Sequence, residues 1–400
     1  MRRMFALAVF LLVAAIGIGA MAQVTITIYA DDTRTPLLRQ VGADYTDATG
    51  VLIEVIEFPN SELRSQYITA TQAQEGPDIV VGANDWVGEL VANGLIEAMD
   101  IGARSGDFSS AALQAFSIGE ALYALPYAVE NIALIYDKDV VPVPPRTWDE
   151  LLAIARSLYD PDTPMYGLVF ENTSANFYQF FPMLSAAGGY IFGFDEDGEY
   201  DPCDVGVGNE GAIFGANLYK SMIDEGLIPI GVNGDTEQAL IEGRNAAMFI
   251  TGPWRLVNFQ NADINYGITR IPAITGPDGA YNIPKVFAGY QGFFLSSFSE
   301  NKTIAVDFLL NYIATPATMT ALEEIGNRPT VFLPAVPSSP ADLLAFGDQG
   351  AFSVPMPSIP EMASVWQEGG NAIDLINAGT APSEAFGQAQ QLILSAVGCP

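Results

Sequence analysis

The chain of 400 residues contains no histidine. This absence excludes the Ser-His-Asp and Cys-His catalytic arrangements and the usual zinc sites. Basic residues are scarce too, since 16 Lys and Arg stand against 47 Asp and Glu and leave a formal net charge of −31. Phosphate binding needs basic patches, so nucleic acid is not an expected partner. Carboxylate chemistry, oxygen-ligated calcium, or binding without any reaction remain.

Long apolar runs are also rare, and the run near the N-terminus has the features of a targeting segment. Residues 1–22 combine two arginines, an apolar run over 5–18, and alanines at positions 20 and 22. We predict a secretory signal peptide that is cleaved before Gln23; the alternative, an uncleaved membrane anchor, is disfavoured by the short run. The residue directly after the predicted cleavage site is Gln23 and not a cysteine, so we expect a periplasmic or extracellular protein without a lipoprotein anchor.

Cysteine is limited to Cys203 and Cys399. In an oxidising compartment two cysteines more often pair than stay free. We therefore predict a disulfide that ties the C-terminal segment to the body of the protein. Neither cysteine lies in a CxxC motif, so a redox role is not indicated.

The hydrophobic pattern that follows the leader is typical of a parallel sheet covered by helices. Strands are predicted over 24–30, 51–58 and 79–81, with helices over 35–49 and 61–74 between them. Ligands on such sheets bind beyond the carboxyl ends of the strands. The candidate residues at those ends are Asp31, Asp32, Arg34, Asp85 and Trp86.

Glu130 interrupts an apolar, β-prone stretch that precedes a predicted helix start with a capping box at Thr147 and Glu150. A carboxylate in a buried strand is unfavourable unless something pairs with it. One explanation is a structural partner such as Arg104 or Arg146. The other is that the chain passes here from one lobe to another, so that Glu130 faces a cleft and accepts hydrogen bonds from a polar ligand.

Two later stretches have a similar character, an apolar one over 286–296 and a proline-rich one over 328–339. Three passages predict two lobes, each built from discontinuous segments, with hinges near 130, 286 and 334. The predicted N-lobe comprises 23–129 and 288–332, and the predicted C-lobe comprises 133–284 and 337–400.

Aromatic residues supply further candidates. Trp254 follows Gly-Pro in a turn at a strand end, which suits stacking on a ligand, and Tyr178 has polar neighbours within an aromatic cluster. Trp366 lies on one side of a predicted helix and is either a core residue or a second stacking ring. The GxGxxG match at 206–211 lacks a clear preceding strand, so we interpret it as a loop in which Asn209 caps a helix over 210–225.

Several long motifs resemble, in order, those of the extracellular solute-binding proteins of ABC importers, specifically the maltose/maltodextrin-binding branch. They are GPDIVVGANDWVGELVANGLIEAMD (76–100), LPYAVENIALIYDKDVVPVPPRTWDEL (125–151), FPMLSAAGGYIF (181–192), EYDPCDVGVGNEGA (199–212), MFITGPWRLVNF (248–259), INYGITRIP (264–272) and MPSIPEMASVWQEGGNAI (356–373). The resemblance implies an α/β fold of two lobes, each a mixed, largely parallel sheet flanked by helices, which close on a sugar by hinge bending. It further implies a monomer without cofactor or metal that serves the permease subunits of an ABC importer.

The resemblance also implies roles for particular residues. Positions that hydrogen-bond sugar hydroxyls correspond to Asp32, Arg34, Asp85 and Glu130. Positions whose rings stack on glucosyl faces correspond to Tyr178, Trp254 and Trp366. This set suits a pyranose, which offers apolar faces and a rim of hydroxyls.

Three positions depart from the family pattern. Gly82 replaces a stacking tryptophan, Trp86 replaces a basic residue, and Asn176 replaces a glutamate beside the cleft tyrosine. We expect Trp86 to supply the missing ring from a shifted place and Asn176 to contact the ligand. The departures leave maltose, maltotriose, trehalose and other disaccharides open.

We therefore predict a non-enzymatic binding protein that captures a maltose/maltodextrin-type oligosaccharide by lobe closure. One alternative keeps the fold but binds trehalose, another disaccharide, or a non-sugar solute such as a polyamine or peptide. The other is a secreted glycosidase that would place two carboxylates, from among Asp32, Asp85 and Glu130, across one glycosidic bond.

Overall fold

The computed structural model describes residues 23–159, 165–335 and 340–399. The predicted signal peptide and part of the third predicted passage lie outside these residues. Among the residues described, no helix combines the length and apolar character needed to span a bilayer.

Helices and strands alternate along most of the described chain. Up to the first passage they are β1 (Thr25–Ala30), α1 (Thr35–Thr49), β2 (Leu52–Glu57), α2 (Asn60–Gln72), β3 (Ile79–Ala83), α3 (Trp86–Ala92), β4 (Ile96–Glu97), α4 (Ser110–Ala115), β5 (Ser117–Ile118), β6 (Ala121–Leu122) and β7 (Ala124–Glu130). The middle part contains β8 (Ala133–Asp137), α5 (Trp148–Leu158), β9 (Tyr166–Val169), α6 (Phe177–Ser185), β10 (Phe192–Phe194), β11 (Tyr200–Val205), α7 (Glu210–Asp224), α8 (Gly234–Glu242), β12 (Ala246–Thr251), α9 (Leu256–Asn261), β13 (Tyr266–Thr269), β14 (Ile274–Thr275) and β15 (Tyr281–Asn282). The remainder contains β16 (Val286–Ser296), α10 (Lys302–Phe308), α11 (Pro316–Gly326), α12 (Ala341–Gly350), β17 (Ser353–Pro355), α13 (Met362–Asn377) and α14 (Pro382–Ala396).

The larger sheet has the strand order β17-β16-β3-β1-β2, with β4 and β7 also paired to β16. Strand β1 is parallel to both β2 and β3, whereas β16 is antiparallel to β3 and β7. The strand and helix pattern predicted for this part is confirmed. Helix α1 ends at Gly50, whose φ of 80° closes the helix in a left-handed conformation that glycine adopts without strain.

The smaller sheet has the order β13-β8-β12-β9. The predicted capping box is present, because the Thr147 hydroxyl accepts from the Glu150 amide and the Glu150 carboxylate accepts from the Thr147 amide. Asn209 caps α7 as predicted. The expectation that no strand precedes the GxGxxG match is wrong, since β11 ends at Val205; this strand pairs antiparallel with β10 alone, outside either main sheet.

The buried hydrophobic residues form clusters on either side of the passages, one main cluster and one smaller cluster at each sheet. Strand β16 starts in the core of the smaller sheet with Phe287 and continues into the core of the larger one with Phe293. The connection from β7 to β8 makes the same crossing between Ala128 and Ile132. We call the two halves the N-lobe and the C-lobe; their exact bounds stay a prediction.

A disulfide joins Cys203 in β11 to Cys399 beyond α14, with the two Cα atoms 5.5 Å apart. The bond spans 196 residues of sequence. It fastens the end of the chain to the C-lobe, where the Gly208 amide also donates to Gln390 Oε1 of α14 at 2.9 Å.

Candidate site between the lobes

Glu130 ends β7 at the first passage and is held by two side chains from the other passages. Its Oε2 accepts from Arg328 Nε, and its Oε1 accepts from Gln291 Nε2 at 2.9 Å. The Glu130 and Arg328 side chains are 10% and 8% exposed. The structural partner is therefore Arg328, and the suggestion of Arg104 or Arg146 is wrong.

Arg34 extends this network into the N-lobe. Its guanidinium forms an ion pair with Asp31, contacts the Tyr127 hydroxyl, and donates from Nη2 to Gln291 Oε1 at 3.0 Å. Gln291 thus joins Arg34 to Glu130, because its side-chain carbonyl accepts from Arg34 and its side-chain amide nitrogen donates to Glu130. We name Asp31, Arg34, Glu130 and Arg328 the hinge cluster.

Asp32 and its neighbour Asp31 differ in their surroundings. Asp32 is exposed, whereas Asp31 is 2% exposed and accepts from the Thr33 hydroxyl at 2.8 Å. Burial raises the pKa of Asp31, but the Arg34 and Arg328 guanidiniums outweigh it and hold that pKa below its ordinary value. The carboxylate beside Arg34 is therefore Asp31, one residue before the predicted Asp32. The Asp32 side chain is exposed to solvent.

Asp85 and Trp366 make a direct contact between the lobes. Trp366 lies in α13, and Asp85 directly precedes α3. The indole Nε1 of Trp366 donates to Asp85 Oδ2 at 2.9 Å. Asp85 is 8% exposed, and this burial raises its pKa even though Arg64 and the indole N–H act in the opposite direction. Trp366 also packs edge-on against Phe287, with the ring centroids 5.6 Å apart, which agrees with the core interpretation; its stacking on a ligand stays a prediction.

The lobes also touch along α3. A β-carbon built on Gly88 would lie 2.4 Å from the Ile359 carbonyl carbon and 2.5 Å from the Pro360 nitrogen, so only glycine fits there. The Asn84 side-chain amide donates to the Met356 carbonyl oxygen at 3.3 Å. The lobes are therefore in direct contact at α3 as well as at the Asp85–Trp366 hydrogen bond.

Tyr178 and Trp254, which we name the ring pair, lie on the C-lobe side of this junction. Their ring centroids are 6.3 Å apart, with the planes inclined at 56°. A β-carbon built on Gly289 would lie 3.4 Å from Glu130 Cγ and 3.6 Å from the Tyr178 hydroxyl, so this tyrosine approaches the hinge carboxylate. Burial and the Glu130 charge raise the Tyr178 pKa well above its ordinary value. The guanidinium carbon of Arg328 is 5.7 Å from the centre of the Trp254 ring.

Trp86 does not lie where we expected it. It is 8% exposed and stacks on Phe294 in the N-lobe core, with the ring centroids 6.2 Å apart. A β-carbon on Gly82 would lie 2.2 Å from the Trp86 ring. The small residue at 82 therefore makes room for the indole inside the lobe, and this tryptophan does not supply a ring to the junction.

Asn176 has both side-chain polar atoms engaged within the C-lobe. Its Oδ1 caps α6 by accepting from the Gln179 amide at 3.0 Å, and its Nδ2 donates to Glu171 Oε2 at 2.8 Å. This arrangement explains why an amide stands here, since a carboxylate would face Glu171 with a like charge.

Sequence reasoning missed Arg328, Gln291 and Asn84 as parts of the junction. Arg328 could have been found by asking which of the 16 Lys and Arg lies at a passage, because a buried carboxylate needs a cation and this chain has few. Gln291 and Asn84 carry no comparable signal. Of the predicted residues, the structure gathers Asp85, Glu130, Tyr178, Trp254 and Trp366 at the junction, with Arg34 one contact behind.

Two lobes joined by three passages, with acidic groups on one side of the junction and aromatic rings on the other, define the two-lobed class of binding proteins that hold a ligand between their lobes. The chain belongs to the family of bacterial extracellular solute-binding proteins, whose model matches residues 40–346.

Three proteins illustrate the similarity. The galactooligosaccharide-binding protein of Bacillus subtilis (strain 168) is 30% identical over 379 residues, which is 92% of this chain and 88% of that protein. A maltooligosaccharide ABC transporter solute-binding lipoprotein of Streptococcus pneumoniae serotype 4 is 26% identical, over 87% of this chain and 82% of that protein. The structure of the Thermus thermophilus maltotriose binding protein bound with maltotriose superposes with a TM-score of 0.84 at 30% identity, covering 94% of this chain and 100% of that one.

Proposed function

We propose that the chain captures an oligosaccharide between its lobes and presents the closed complex to the membrane subunits of an ABC importer. The observation that carries this proposal is the junction itself, where Asp85 and Glu130 of the N-lobe lie against Tyr178, Trp254 and Trp366 of the C-lobe. Carboxylates accept from sugar hydroxyls while rings cover the apolar faces of a pyranose. A ligand that contacts both sides favours the closed form by its differential affinity for that form.

For the ligand we propose a maltotriose-type oligosaccharide, with a galactooligosaccharide as the second candidate. The maltotriose-binding structure and the galactooligosaccharide-binding relative have the same identity to this chain, 30% in each case. The core position of Trp86 supports neither sugar in particular.

Thermal unfolding of the chain from Gln23 onward, with maltotriose, maltose, trehalose, sucrose, a β-1,4-galactooligosaccharide and spermidine, tests this proposal. A ligand at 100 times its Kd adds about 2.7 kcal/mol to the free energy of unfolding, enough to raise Tm by several degrees. We expect a rise with maltotriose. A rise with the galactooligosaccharide alone would replace the ligand, and a rise with spermidine alone would rule out the carbohydrate.

Substitution of the rings provides the second test. We expect Trp254→Ala and Trp366→Ala each to weaken maltotriose binding in isothermal titration, because stacking surface is lost. A polyamine site would instead weaken steeply with added salt and depend mainly on the acidic residues.

We propose binding without hydrolysis. The family match and the relatives, which are solute-binding proteins, support this. Chromatography of maltotriose after long incubation with the protein checks this, and release of glucose or maltose would establish the glycosidase instead.

We also propose that the mature chain is a monomer, begins at Gln23 and carries no lipid. Mass spectrometry of the exported protein tests the cleavage site and the absence of a lipid. The lipid is of interest because the pneumococcal relative is a lipoprotein.

X-ray scattering with and without maltotriose tests lobe closure and the molecular mass together. Identical profiles at saturating, tightly bound sugar would contradict closure by the ligand.

A further inference from the structure

A second group of buried charges lies beside the ring pair, within the C-lobe. Arg255 Nε donates to Glu237 Oε2 at 2.7 Å, and Arg255 Nη2 lies 3.5 Å from Glu171 Oε1. Glu237 is fully buried, and the Arg255 and Glu171 side chains are each 14% exposed. We name Glu171, Arg255 and Glu237 the wall cluster.

The wall cluster is connected to the helix that carries Tyr178. Glu171 Oε2 accepts from Asn176 Nδ2 at 2.8 Å, and the Glu171 amide donates to Gln179 Oε1 at 2.8 Å. Asn176 caps α6 and Gln179 directly follows Tyr178. Glu171 therefore fixes the first turn of α6, from which the Tyr178 ring projects.

The same cluster is connected to the turn that carries Trp254. Arg255 directly follows that tryptophan in the turn Pro253–Arg255, and its Nη2 also donates to the Gly234 carbonyl oxygen at 2.7 Å. A β-carbon on Gly234 would lie 2.9 Å from this Nη2, so the guanidinium is closely confined. Both members of the ring pair thus have an immediate neighbour bound to Glu171.

The charges of the wall cluster do not balance. Two carboxylates share one guanidinium, and the charged groups that face Glu237 are Glu171, from beyond β9, and Arg255, from beyond β12. The Thr251 hydroxyl of β12 donates to Glu237 Oε2 at 3.2 Å, while Glu237 Oε1 has no hydrogen-bond partner among the described residues. Burial and the Glu171 charge raise the pKa of Glu237 to about 8.

We propose that the wall cluster is a positioning unit that holds Tyr178 and Trp254 in their binding orientation, and that it does so with the Glu237 carboxyl protonated. This inference rests on the proposed function, and its residues act on a sugar through the ring pair without touching it. When Glu237 loses its proton, the cluster gains an uncompensated buried charge, and Arg255 is drawn between two carboxylates. The turn that carries Trp254 then shifts, and affinity declines.

The test is the pH profile of maltotriose affinity for the chain and for Glu237→Gln, which keeps an acceptor for Arg255 and Thr251 and fixes the neutral form. Near pH 6.5 we expect the maltotriose affinities of the two proteins to agree within about twofold, since the side chain at position 237 is neutral in both. Above the pKa, the unsubstituted chain loses affinity by up to about tenfold per pH unit, and Glu237→Gln changes little. The matched control is Glu225→Gln on the C-lobe surface, where the ion pair with Arg156 is half exposed; its profile should follow the unsubstituted chain.

A second measurement needs no ligand and so separates this inference from the sugar proposal. The fluorescence emission of Trp254 is obtained by subtracting the spectrum of the Trp254→Phe variant from that of the unsubstituted chain. Quenching of this emission by acrylamide reports how exposed the Trp254 ring is. We expect quenching of Trp254 to increase from pH 6.5 to 9 in the unsubstituted chain and to stay constant in Glu237→Gln. Arg255→Gln, which removes the guanidinium, should show the high quenching at both pH values.

The outcomes are distinguishable. If no sugar binds but quenching follows the expected pattern, the proposed function fails and the positioning of Trp254 stands. If Glu237→Gln has the same pH profiles of affinity and quenching as the unsubstituted chain, the positioning unit is refuted. If quenching responds to pH in a Glu237-dependent manner while maltotriose affinity does not, the cluster is structural only and the inference is wrong.

Discussion

The hinge cluster and the wall cluster are both buried groups of two carboxylates beside the ring pair, but they differ in charge balance. Asp31 and Glu130 have two guanidiniums, those of Arg34 and Arg328, within the same network. Glu171 and Glu237 share one, that of Arg255. The pKa values follow this difference, since the pKa of Asp31 is lowered and that of Glu237 is raised.

The comparison shows that burial alone does not decide the ionisation of these acids. Burial raises the pKa of both groups, and for Asp31 the two guanidiniums, together with hydrogen bonds from the Thr33 hydroxyl and the Arg34 amide, reverse the direction. In a chain with 16 Lys and Arg for 47 acids, cations are limiting. Two arginines at the hinge hold the pKa of Asp31 below its ordinary value, whereas the wall cluster has one guanidinium for two carboxylates.

The largest expected effect comes from unbalancing the hinge cluster. Arg328→Met leaves Glu130 buried without its cation, and we expect a loss of about 3–5 kcal/mol in the free energy of unfolding at pH 7. Urea unfolding measures it.

Arg156→Met is the matched control for this substitution. It removes an arginine from an ion pair with Glu225 in which the two side chains are 50% and 40% exposed. Surface pairs contribute about 0–1 kcal/mol. Equal losses in the two variants would show that the hinge cluster is no more than a surface pair in energy.

An intermediate effect is expected at Asp85, whose carboxylate accepts from a neutral donor in the opposite lobe. Trp366→Phe removes the indole N–H and leaves Asp85 without that donor when the lobes close, which costs about 1–3 kcal/mol. Urea unfolding of the ligand-free protein measures the loss. Trp254→Phe, which keeps an aromatic ring in the ring pair, should lose less.

Gly88→Ala tests the contact between the lobes by introducing a steric clash. Its added β-carbon meets the backbone at Ile359 and Pro360, so the closed form becomes less populated while both charge clusters keep their own contacts. Apparent maltotriose affinity falls in proportion to the closed fraction, by about tenfold if that fraction drops tenfold. Unchanged affinity would mean that this contact does not accompany binding.

The smallest expected effect is a pH slope of opposite sign in the two clusters. Glu237 has a raised pKa in the folded protein, so its contribution to stability is complete below the unfolded pKa and is lost as pH rises toward about 8. Between pH 7 and 8 the free energy of unfolding should fall by about 1 kcal/mol more in the unsubstituted chain than in Glu237→Gln.

Asp31 supplies the contrast within the same titration. Because its folded pKa is lowered, its contribution is present above the unfolded pKa and is lost as pH falls through the folded one. The acid side of the profile should therefore be the same in Glu237→Gln and the unsubstituted chain. A change on the acid side alone would contradict the assignment of the raised pKa to Glu237.

Local pattern was sufficient for most of the fold. The predicted helix over 35–49 and the apolar passage over 286–296 are α1 and β16 with the same bounds, because a terminal glycine and a continuous apolar run are strong local signals. Strand β11 was not predicted, because Asp201 and Pro202 have low β-propensity; among the described residues the strand pairs with β10 and joins neither main sheet.

Local pattern was less informative about the site. It indicated that Glu130 requires a partner, but that partner is 198 residues away at the third passage. The family resemblance identified residues 82 and 86 as departures and led us to expect a ring at the junction, yet the packing of Trp86 on Phe294 places that ring inside the N-lobe. Contacts between residues so far apart in sequence depend on how the three passages pack together. A local stretch of sequence carries no information about that packing.

The sequence by itself determined the α/β class and the scarcity of cations, because periodicity records which surfaces are buried and composition counts the charges, while its long motifs indicated two lobes and a likeness to sugar-binding proteins. Only the tertiary structure decided which arginine each buried carboxylate obtains. With few cations, that allocation depends on contacts among three passages and on α6, α8 and β12, and it leaves the proton on Glu237 rather than on Asp31.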